Sequence, residues 1–166
     1  EQVSTVDVTE EICKTLELVG HHLRKRQIQV EPDFSPSVLP IQADRQHLRQ
    51  VFLNLFTNAA DAMPHGGRLT PRVRPSVLPN GQTAITIEIA DTGVGIPPEL
   101  LPRVCEPFFT TKEEGNGTGL GLAICRRIVD PHHGVFDVES RPGVGTTIRL
   151  ILPVLPDTNV ARLHSG

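Results

Sequence analysis

The chain has little of several residue types, and each scarcity excludes a class of structure. Its 166 residues include no tryptophan, no tyrosine and only three cysteines, an odd number without the CxxC spacing of a zinc site. We therefore expect Cys13, Cys105 and Cys125 to be reduced core thiols. No apolar run approaches the ~20 residues that cross a bilayer, and no signal peptide is recognisable. We expect the chain itself to be soluble and cytoplasmic, with a membrane anchor on a longer parent protein left open.

A strong excess of charge of either sign is also lacking. Sixteen lysines and arginines stand against nineteen aspartates and glutamates, which gives a formal net charge of −3. This balance leaves no broad basic surface for a nucleic-acid backbone, so any phosphate site must be local. The length fits one domain, which we place at residues 1–156, followed by a frayed tail without pattern at 157–166.

The hydrophobic pattern predicts helices and strands that are grouped along the chain and do not alternate one by one. Asp7 or Thr9 can cap a first helix, and the helical spacing of apolar residues is clearest over 44–62. The other predicted helices are a short one near 98 and one over 120–129. Strands are predicted at 3–8 and 27–30, and two hairpins at 69–77 with 83–90 and at 135–140 with 146–152. Consecutive hairpins favour an α+β fold with two layers.

Glycine is placed where it predicts a binding loop. In the run GNGTGLGLAICRR at 115–127, four alternating glycines lead without a break into an amphipathic helix. Glycines let the backbone approach a polyanion closely, and the first turn of the helix offers free N–H groups at the positive end of its dipole. The run is therefore typical of a phosphate-binding segment.

Two polar motifs precede this run. The sequence DTGVG at 91–95 follows a β-rich segment, so Asp91 stands at a strand end where its carboxylate can accept a hydrogen bond. On the helix over 44–62, Asn54, Asn58 and Asp61 stand at i, i+4 and i+7, which places them on one stripe that can line a cleft. Carboxamide oxygens suit Mg²⁺, a hard ion that completes its shell with water and nucleotide phosphates. Neither a Walker motif nor a complete dinucleotide-fold glycine motif is present.

Together these segments resemble the N box and the first two glycine boxes of the Bergerat-fold ATP-binding superfamily, and they are most similar to those of sensor histidine kinases. EPFFTTK at 106–112 resembles the F box, and GVGTT at 143–147 a third glycine box. The resemblance covers residues 5–153. It implies a two-layer α+β sandwich with a mixed, mostly antiparallel sheet of about five strands, covered on one face by three helices. The few residues from 112 to 117 resemble the short ATP lid of nitrogen-regulatory-type kinases.

The resemblance also implies a Mg²⁺-ATP site. Asn58 would bind Mg²⁺, with Asn54 as a second candidate ligand, and Lys112 would reach a phosphate; these three are the catalytic candidates. Asp91 and Thr146 would contact adenine. The predicted ATP-binding residues are Asn58, Asp61, Asp91, Gly93, Gly95, Ile96, Phe109, Thr111, Lys112, Gly117, Thr118, Gly119, Leu120, Gly121, Leu122 and Thr146.

The function implied is transfer of the γ-phosphate of Mg²⁺-ATP to a histidine on a separate dimerisation and phospho-acceptor domain, in two-component signalling to a response regulator. Two alternatives stay open: an ATP-binding regulatory module that acts by docking, as a pseudokinase does, and an ATPase of the gyrase or chaperone type. Those ATPases have a water-activating glutamate at the position of Asn54, and an amide cannot act as a general base. Two departures, Pro131 where the family has no proline and His133 where it has glycine, leave the local turn geometry in question.

Overall fold

The computed structural model describes residues 2–104 and 121–154. Within these ranges there are three α-helices and eight strands. The helices are α1 (Val8–Lys25), α2 (Arg45–Ala62) and α3 (Ala123–Val129). The strands are β1 (Val3–Val6), β2 (Ile28–Val30), β3 (Asp33–Phe34), β4 (Ile41–Asp44), β5 (Gly67–Val77), β6 (Thr83–Asp91), β7 (Val135–Arg141) and β8 (Gly145–Pro153). The predicted short helix near 98 is instead a 3-10 turn at Leu101–Arg103.

The main sheet has the order β2-β5-β6-β8-β7, and β3 also pairs with β5. β2 and β3 run parallel to β5, whereas the long pairs β5–β6, β6–β8 and β7–β8 are antiparallel. The predicted α+β fold with a mixed, mostly antiparallel sheet is confirmed. The sheet has six strands where about five were expected, because β3 has only two residues and leaves no alternation to detect in the sequence.

The first predicted strand is shorter than expected and does not belong to the main sheet. It ends at Val6 because the carboxylate of Asp7 accepts a hydrogen bond from the backbone N–H of Glu10 at 3.2 Å and thereby caps α1. β1 pairs with β4 in a separate two-stranded sheet. Asp44 follows the same rule at the next helix: its side chain accepts from the backbone N–H groups of Gln46 and His47 and starts α2.

The core lies between the helices and one face of the main sheet. Alternate residues of β6, including Ile85 and Ile87, are buried, and Phe52 and Phe56 of α2 are fully buried in the same cluster. Burying a side chain of this size stabilises the fold by roughly 1.5–3 kcal/mol. The opposite face of the sheet carries charges, such as Arg149, which pairs with carboxylates of neighbouring strands. The strand period of two thus sets which face the helices cover.

A buried carboxylate joins α1 to α2. Glu11 is only 2% exposed and forms ion pairs with Arg45 and Arg49 of α2. The cysteine prediction holds for Cys125, which is buried, but is wrong for Cys13, which is exposed on α1. Cys105 lies outside the described residues. Among the described helices, none combines the length and apolarity that a membrane crossing requires.

The turn before β7, where histidine stands at a position that is glycine in the family, contains a residue with a left-handed backbone conformation. His133 has φ 54° and follows a 3-10 turn at Asp130–His132. The ring of His132 anchors this turn, because its Nδ1 lies 2.8 Å from the carbonyl oxygen of Ile128 and its Nε2 lies 2.8 Å from that of Gln42. Histidine therefore occupies at 133 a conformation that glycine adopts without a Cβ penalty.

We expect His133→Gly to stabilise the fold by about 0.5–1 kcal/mol, because it removes the left-handed strain at an exposed position. The melting temperature should rise by roughly 2–4 °C per kcal/mol. His21→Gly is the matched control: His21 is exposed within α1, where glycine costs about 1 kcal/mol. Thermal unfolding of the two variants should therefore shift in opposite directions, and a downward shift for both would contradict the strain argument.

Candidate nucleotide site

A cavity of about 490 Å³ lies between α2 and the sheet, beside the loop that follows β6. Its walls are mainly apolar, with four polar side chains that carry hydrogen-bonding groups. The apolar and glycine lining comes from Leu55, Ala59, Ala62, Ile89, Val94, Gly95, Ile96, Pro97, Leu100, Leu122, Pro142 and Ile148. The polar lining is Asn58, Asp61, Asp91 and Thr146. A concave apolar site with a few polar groups is the usual form of a small-molecule pocket.

Seven of the predicted ATP-binding residues line this one cavity: Asn58, Asp61, Asp91, Gly95, Ile96, Leu122 and Thr146. Gly93 and Gly121 are described by the structure and are not among the lining residues. Asn54 is not part of the lining. The remaining predicted residues lie outside the described part of the chain, and they are Phe109, Thr111, Lys112, Gly117, Thr118, Gly119 and Leu120.

Asp91 is held at the end of β6, next to β8. Its Oδ1 accepts hydrogen bonds from the backbone N–H groups of Gly93 at 2.8 Å and Thr146 at 3.2 Å. Burial raises the pKa of the Asp91 carboxyl above its ordinary value, and these two backbone hydrogen bonds oppose the shift. The carboxylate is therefore fixed in an apolar cavity, and Oδ2 receives no hydrogen bond from residues 2–104 or 121–154.

The loop after β6 is held from two sides. Val94 donates its backbone N–H to the carbonyl oxygen of Ala62 at the end of α2 at 2.9 Å, and its own carbonyl accepts from the N–H of Gly143 at 2.8 Å. Gly95 then turns with φ +78°, and a Cβ at this position would overlap the carbonyl group of Arg141. The first and third glycine boxes are thus joined directly and form one wall of the cavity.

Ser140, which does not line the cavity, connects these two boxes. Its Oγ accepts from the backbone N–H of Ile96 at 2.7 Å, donates to the carbonyl oxygen of Gly145 at 3.1 Å, and lies 2.8 Å from Oγ1 of Thr146. Ser140 was not predicted from the sequence as a site residue. The signal available was the hairpin register, since Ser140 of β7 lies directly opposite Thr146 of β8.

The three polar residues on the stripe of α2 lie in two different environments. Asn58 and Asp61 face the cavity, whereas Asn54 donates its Nδ2–H to the carbonyl oxygen of Gly121, 3.0 Å away. Asp61 is 3.4 Å from the guanidinium of Arg26, which also donates to the carbonyl oxygen of Ala60 at 3.1 Å. Arg26 was also missed from the sequence, because it approaches α2 only through the packing of α1.

The polar side chains of the cavity suit a metal ion that takes most of its ligands from water and from a bound phosphate. Among the described residues, no group of three or more His, Cys, Asp or Glu side chains is close enough to hold a metal ion. Asn58 and Asp61 offer oxygen atoms, the ligand type that Mg²⁺ prefers, and Mg²⁺ commonly completes its shell with water and phosphate oxygens. The residues present therefore fit Mg²⁺ bound together with a nucleotide.

Comparison with known proteins defines the family. A family model described as histidine kinase-, DNA gyrase B-, and HSP90-like ATPase matches residues 43–156. The chain therefore belongs to this ATPase family. Sensor histidine kinase ZraS of Klebsiella oxytoca is 39% identical over 150 residues, which cover 90% of this chain and 31% of ZraS. The chain thus spans about a third of the length of this curated relative.

Solved structures agree with this relationship. The catalytic domain of histidine kinase ThkA superposes with a TM-score of 0.78 at 30% identity, covering 94% of this chain and 100% of that domain. ThkA in complex with the response regulator protein TrrA matches with a TM-score of 0.74 at 28% identity, covering 93% of this chain and 42% of ThkA. The predicted resemblance to a sensor histidine kinase catalytic domain is confirmed. The short-lid subtype stays a prediction, because its residues lie outside the described ranges.

Proposed function

We propose that the chain binds Mg²⁺-ATP in this cavity and donates the γ-phosphate to a histidine on a separate dimerisation and phospho-acceptor domain. The observation that carries the proposal is the meeting of Asn58, Asp91 and Thr146 on one apolar cavity, although they come from α2, β6 and β8. An ATP-binding role in two-component signalling agrees with the family and with the sensor kinase relatives.

Adenine would occupy the end of the cavity near Asp91. The carboxylate is fixed by its bonds to Gly93 and Thr146, so it can accept a hydrogen bond from an exocyclic amino group without reorganising. Ile96 is 4% exposed and Ile148 is 8% exposed, and both line the cavity, where they can cover the faces of a flat base. The apolar surroundings strengthen a hydrogen bond to the buried carboxylate.

The triphosphate would extend toward the N-terminal end of α3, which follows the second glycine box. Asn58 would hold Mg²⁺ through its amide oxygen, with Asp61 near it. When bound, Mg²⁺ neutralises the negative charge that develops on the phosphate oxygens during transfer. Lys112 and the glycines before 121 remain proposed phosphate contacts. Catalysis in such a site depends mainly on positioning and on charge stabilisation.

The contact of Asn54 supports transfer to an acceptor and argues against hydrolysis. Its Nδ2–H donates to the carbonyl oxygen of Gly121, and so links α2 to the second glycine box. A glutamate at this position would bring a carboxylate against that carbonyl oxygen, two acceptors without a hydrogen between them. The position therefore requires a hydrogen-bond donor such as the amide of Asn54. The glutamate that acts as general base in the gyrase-type ATPases has no equivalent at this position.

The partners follow from the same proposal. The chain would act on the dimerisation and phospho-acceptor domain of its parent kinase, and the phosphoryl group would pass onward to a response regulator. ThkA, whose catalytic domain has the same fold, has been solved with such a regulator. The pseudokinase alternative predicts ATP binding without transfer to a supplied acceptor domain.

The test combines binding with turnover. Calorimetric titration with ATP, with and without Mg²⁺, would be run beside assays of released phosphate and of label transfer from γ-labelled ATP to the parent's acceptor domain. The proposal expects binding that Mg²⁺ strengthens, negligible release and measurable transfer. Steady phosphate release at many turnovers would favour the hydrolase, and binding without transfer would favour the regulatory module.

We expect Asn58→Ala to remove the strengthening of ATP affinity by Mg²⁺ and to lower transfer by about 100-fold or more, since it deletes the proposed metal ligand. Asn80→Ala is the matched control, because Asn80 lies in the exposed β5–β6 turn and caps the N–H of Gln82. Calorimetry with and without Mg²⁺ measures the effect. An Asn58→Ala variant whose ATP affinity still depends on Mg²⁺ as in the unaltered chain would disprove the metal assignment.

A further inference from the structure

Ser140 has a hydrogen-bond arrangement that determines the role of its neighbour. A serine hydroxyl has one hydrogen to donate and two lone pairs that accept. The carbonyl oxygen of Gly145, 3.1 Å away, can only accept, so this contact is a hydrogen bond only if Ser140 donates its hydrogen to it. The N–H of Ile96, 2.7 Å away, can only donate and uses one lone pair. One lone pair of Ser140 remains.

That remaining lone pair faces Thr146. The two hydroxyl oxygens lie 2.8 Å apart, and one of them must supply the hydrogen between them. In the one arrangement that makes all three contacts of the Ser140 hydroxyl hydrogen bonds, its hydrogen goes to Gly145 and Thr146 donates its own. The Oγ1 of Thr146, whose residue lines the cavity and is 9% exposed, then presents only lone pairs to a bound ligand.

We infer that Ser140 is a positioning residue for base specificity: by taking the hydrogen of Thr146, it makes Oγ1 a hydrogen-bond acceptor beside the carboxylate of Asp91. This inference rests on the proposed ATP site. Two acceptors at one end of the cavity match a purine with an amino group at position 6. They oppose a 6-oxo purine, whose carbonyl oxygen would face lone pairs and remain unpaired.

The backbone geometry supports this pairing of acceptors. The N–H of Thr146 donates to Oδ1 of Asp91 at 3.2 Å, and the two residues are register partners in β6 and β8. Ser140 is in turn the register partner of Thr146 in β7. Three adjacent strands therefore place Asp91, Thr146 and Ser140 in one row, in which the first two line the cavity and Ser140 does not.

ATP and ITP provide the test, because the two nucleotides differ at position 6 of the base and share the same triphosphate. The readout is the ratio of their dissociation constants from calorimetric titration of the 166-residue chain with Mg²⁺. We expect the unaltered chain to prefer ATP. Ser140→Ala should reduce this preference by about 5–10-fold, mainly by improving ITP binding, because the hydroxyl of Thr146 becomes free to donate.

A double-mutant cycle separates positioning from a structural effect. Thr146→Val deletes the hydroxyl on which Ser140 acts, so adding Ser140→Ala to it should leave the ATP:ITP ratio unchanged. Ser140→Thr retains a hydroxyl and should restore the preference. If Ser140→Ala does not fold, Ser140→Cys replaces it, since a thiol of similar size is a weak donor and acceptor. Thermal unfolding reports which variants are folded.

The outcomes are distinguishable. An unchanged ATP:ITP ratio in folded Ser140→Ala, or a further change when it is added to Thr146→Val, would overturn the role of Ser140 and leave the ATP site intact. A uniform loss of affinity for both nucleotides would likewise show that Ser140 only supports the loop. An unaltered chain that binds neither nucleotide would instead overturn the proposed ATP site itself.

Discussion

Gly95→Ala is expected to lower the free energy of unfolding by at least about 3 kcal/mol and to abolish ATP binding. Two effects act together at this position. The backbone of Gly95 has φ +78°, a conformation that costs an alanine about 1–2 kcal/mol. In addition, the new Cβ would overlap the carbonyl group of Arg141, which is backbone and cannot rotate away. The loop after β6, which contacts both the end of α2 and the β7–β8 turn, would have to shift. This loop forms a wall of the cavity.

Gly143→Ala is the matched control for this experiment. Gly143 has almost the same φ of +79°, yet a Cβ there meets no atom within 4 Å among the described residues. Its N–H bond to the carbonyl oxygen of Val94 is kept by alanine. The control should therefore lose only the strain of about 1–2 kcal/mol and retain ATP binding. Urea unfolding and ATP titration of both variants measure the difference, and equal losses would show that the overlap does not matter.

The parts of this site that the sequence predicted are those that depend on local rules. The helical period placed Asn58 and Asp61 on one stripe of α2, and both line the cavity. Strand alternation placed Asp91 at the end of β6. Such rules work because the side-chain direction is fixed by the backbone period alone.

The parts that were missed depend on which elements become neighbours. Asn54 stands on the predicted stripe, but its partner is the carbonyl of Gly121, 67 residues further along the chain. Arg26 reaches Ala60 and Asp61 only because α1 packs beside α2. The pairing of β1 with β4, outside the main sheet, was invisible for the same reason. Tertiary neighbours are not encoded in a local period, so composition and spacing could not reveal them.

Asp91 was predicted from a local strand pattern, and its observed hydrogen bond to Thr146 depends on which strands become neighbours. Its replacement by asparagine tests the site without damaging the fold. In Asp91→Asn, the amide oxygen can still accept from the backbone N–H groups of Gly93 and Thr146. The second oxygen becomes an N–H₂ donor, which would face the amino group of adenine. We expect ATP affinity to fall by about 30–100-fold, since a charge-assisted bond is lost and a donor is left opposed.

The pKa of Asp91 fixes the direction of the accompanying pH effects. Burial raises the pKa in the folded state above its ordinary value of 3.8, so the fold favours the protonated carboxyl. The stabilisation from this shift is complete below pH 3.8 and is lost as the pH rises through the folded-state pKa. At neutral pH the buried charge therefore costs stability, and Asp91→Asn should be at least as stable as the unaltered chain there. Its advantage should shrink on acidification.

Binding should depend on pH in the opposite direction. Protonation of Asp91 removes the acceptor that adenine needs, so ATP affinity of the unaltered chain should fall as the pH decreases through the raised pKa. The affinity of Asp91→Asn should lack this component, while protonation of the phosphates affects both proteins alike. Urea unfolding and ATP titration between about pH 4 and 8 measure both trends. Parallel ATP-affinity profiles for the two proteins would mean that adenine is not recognised through Asp91.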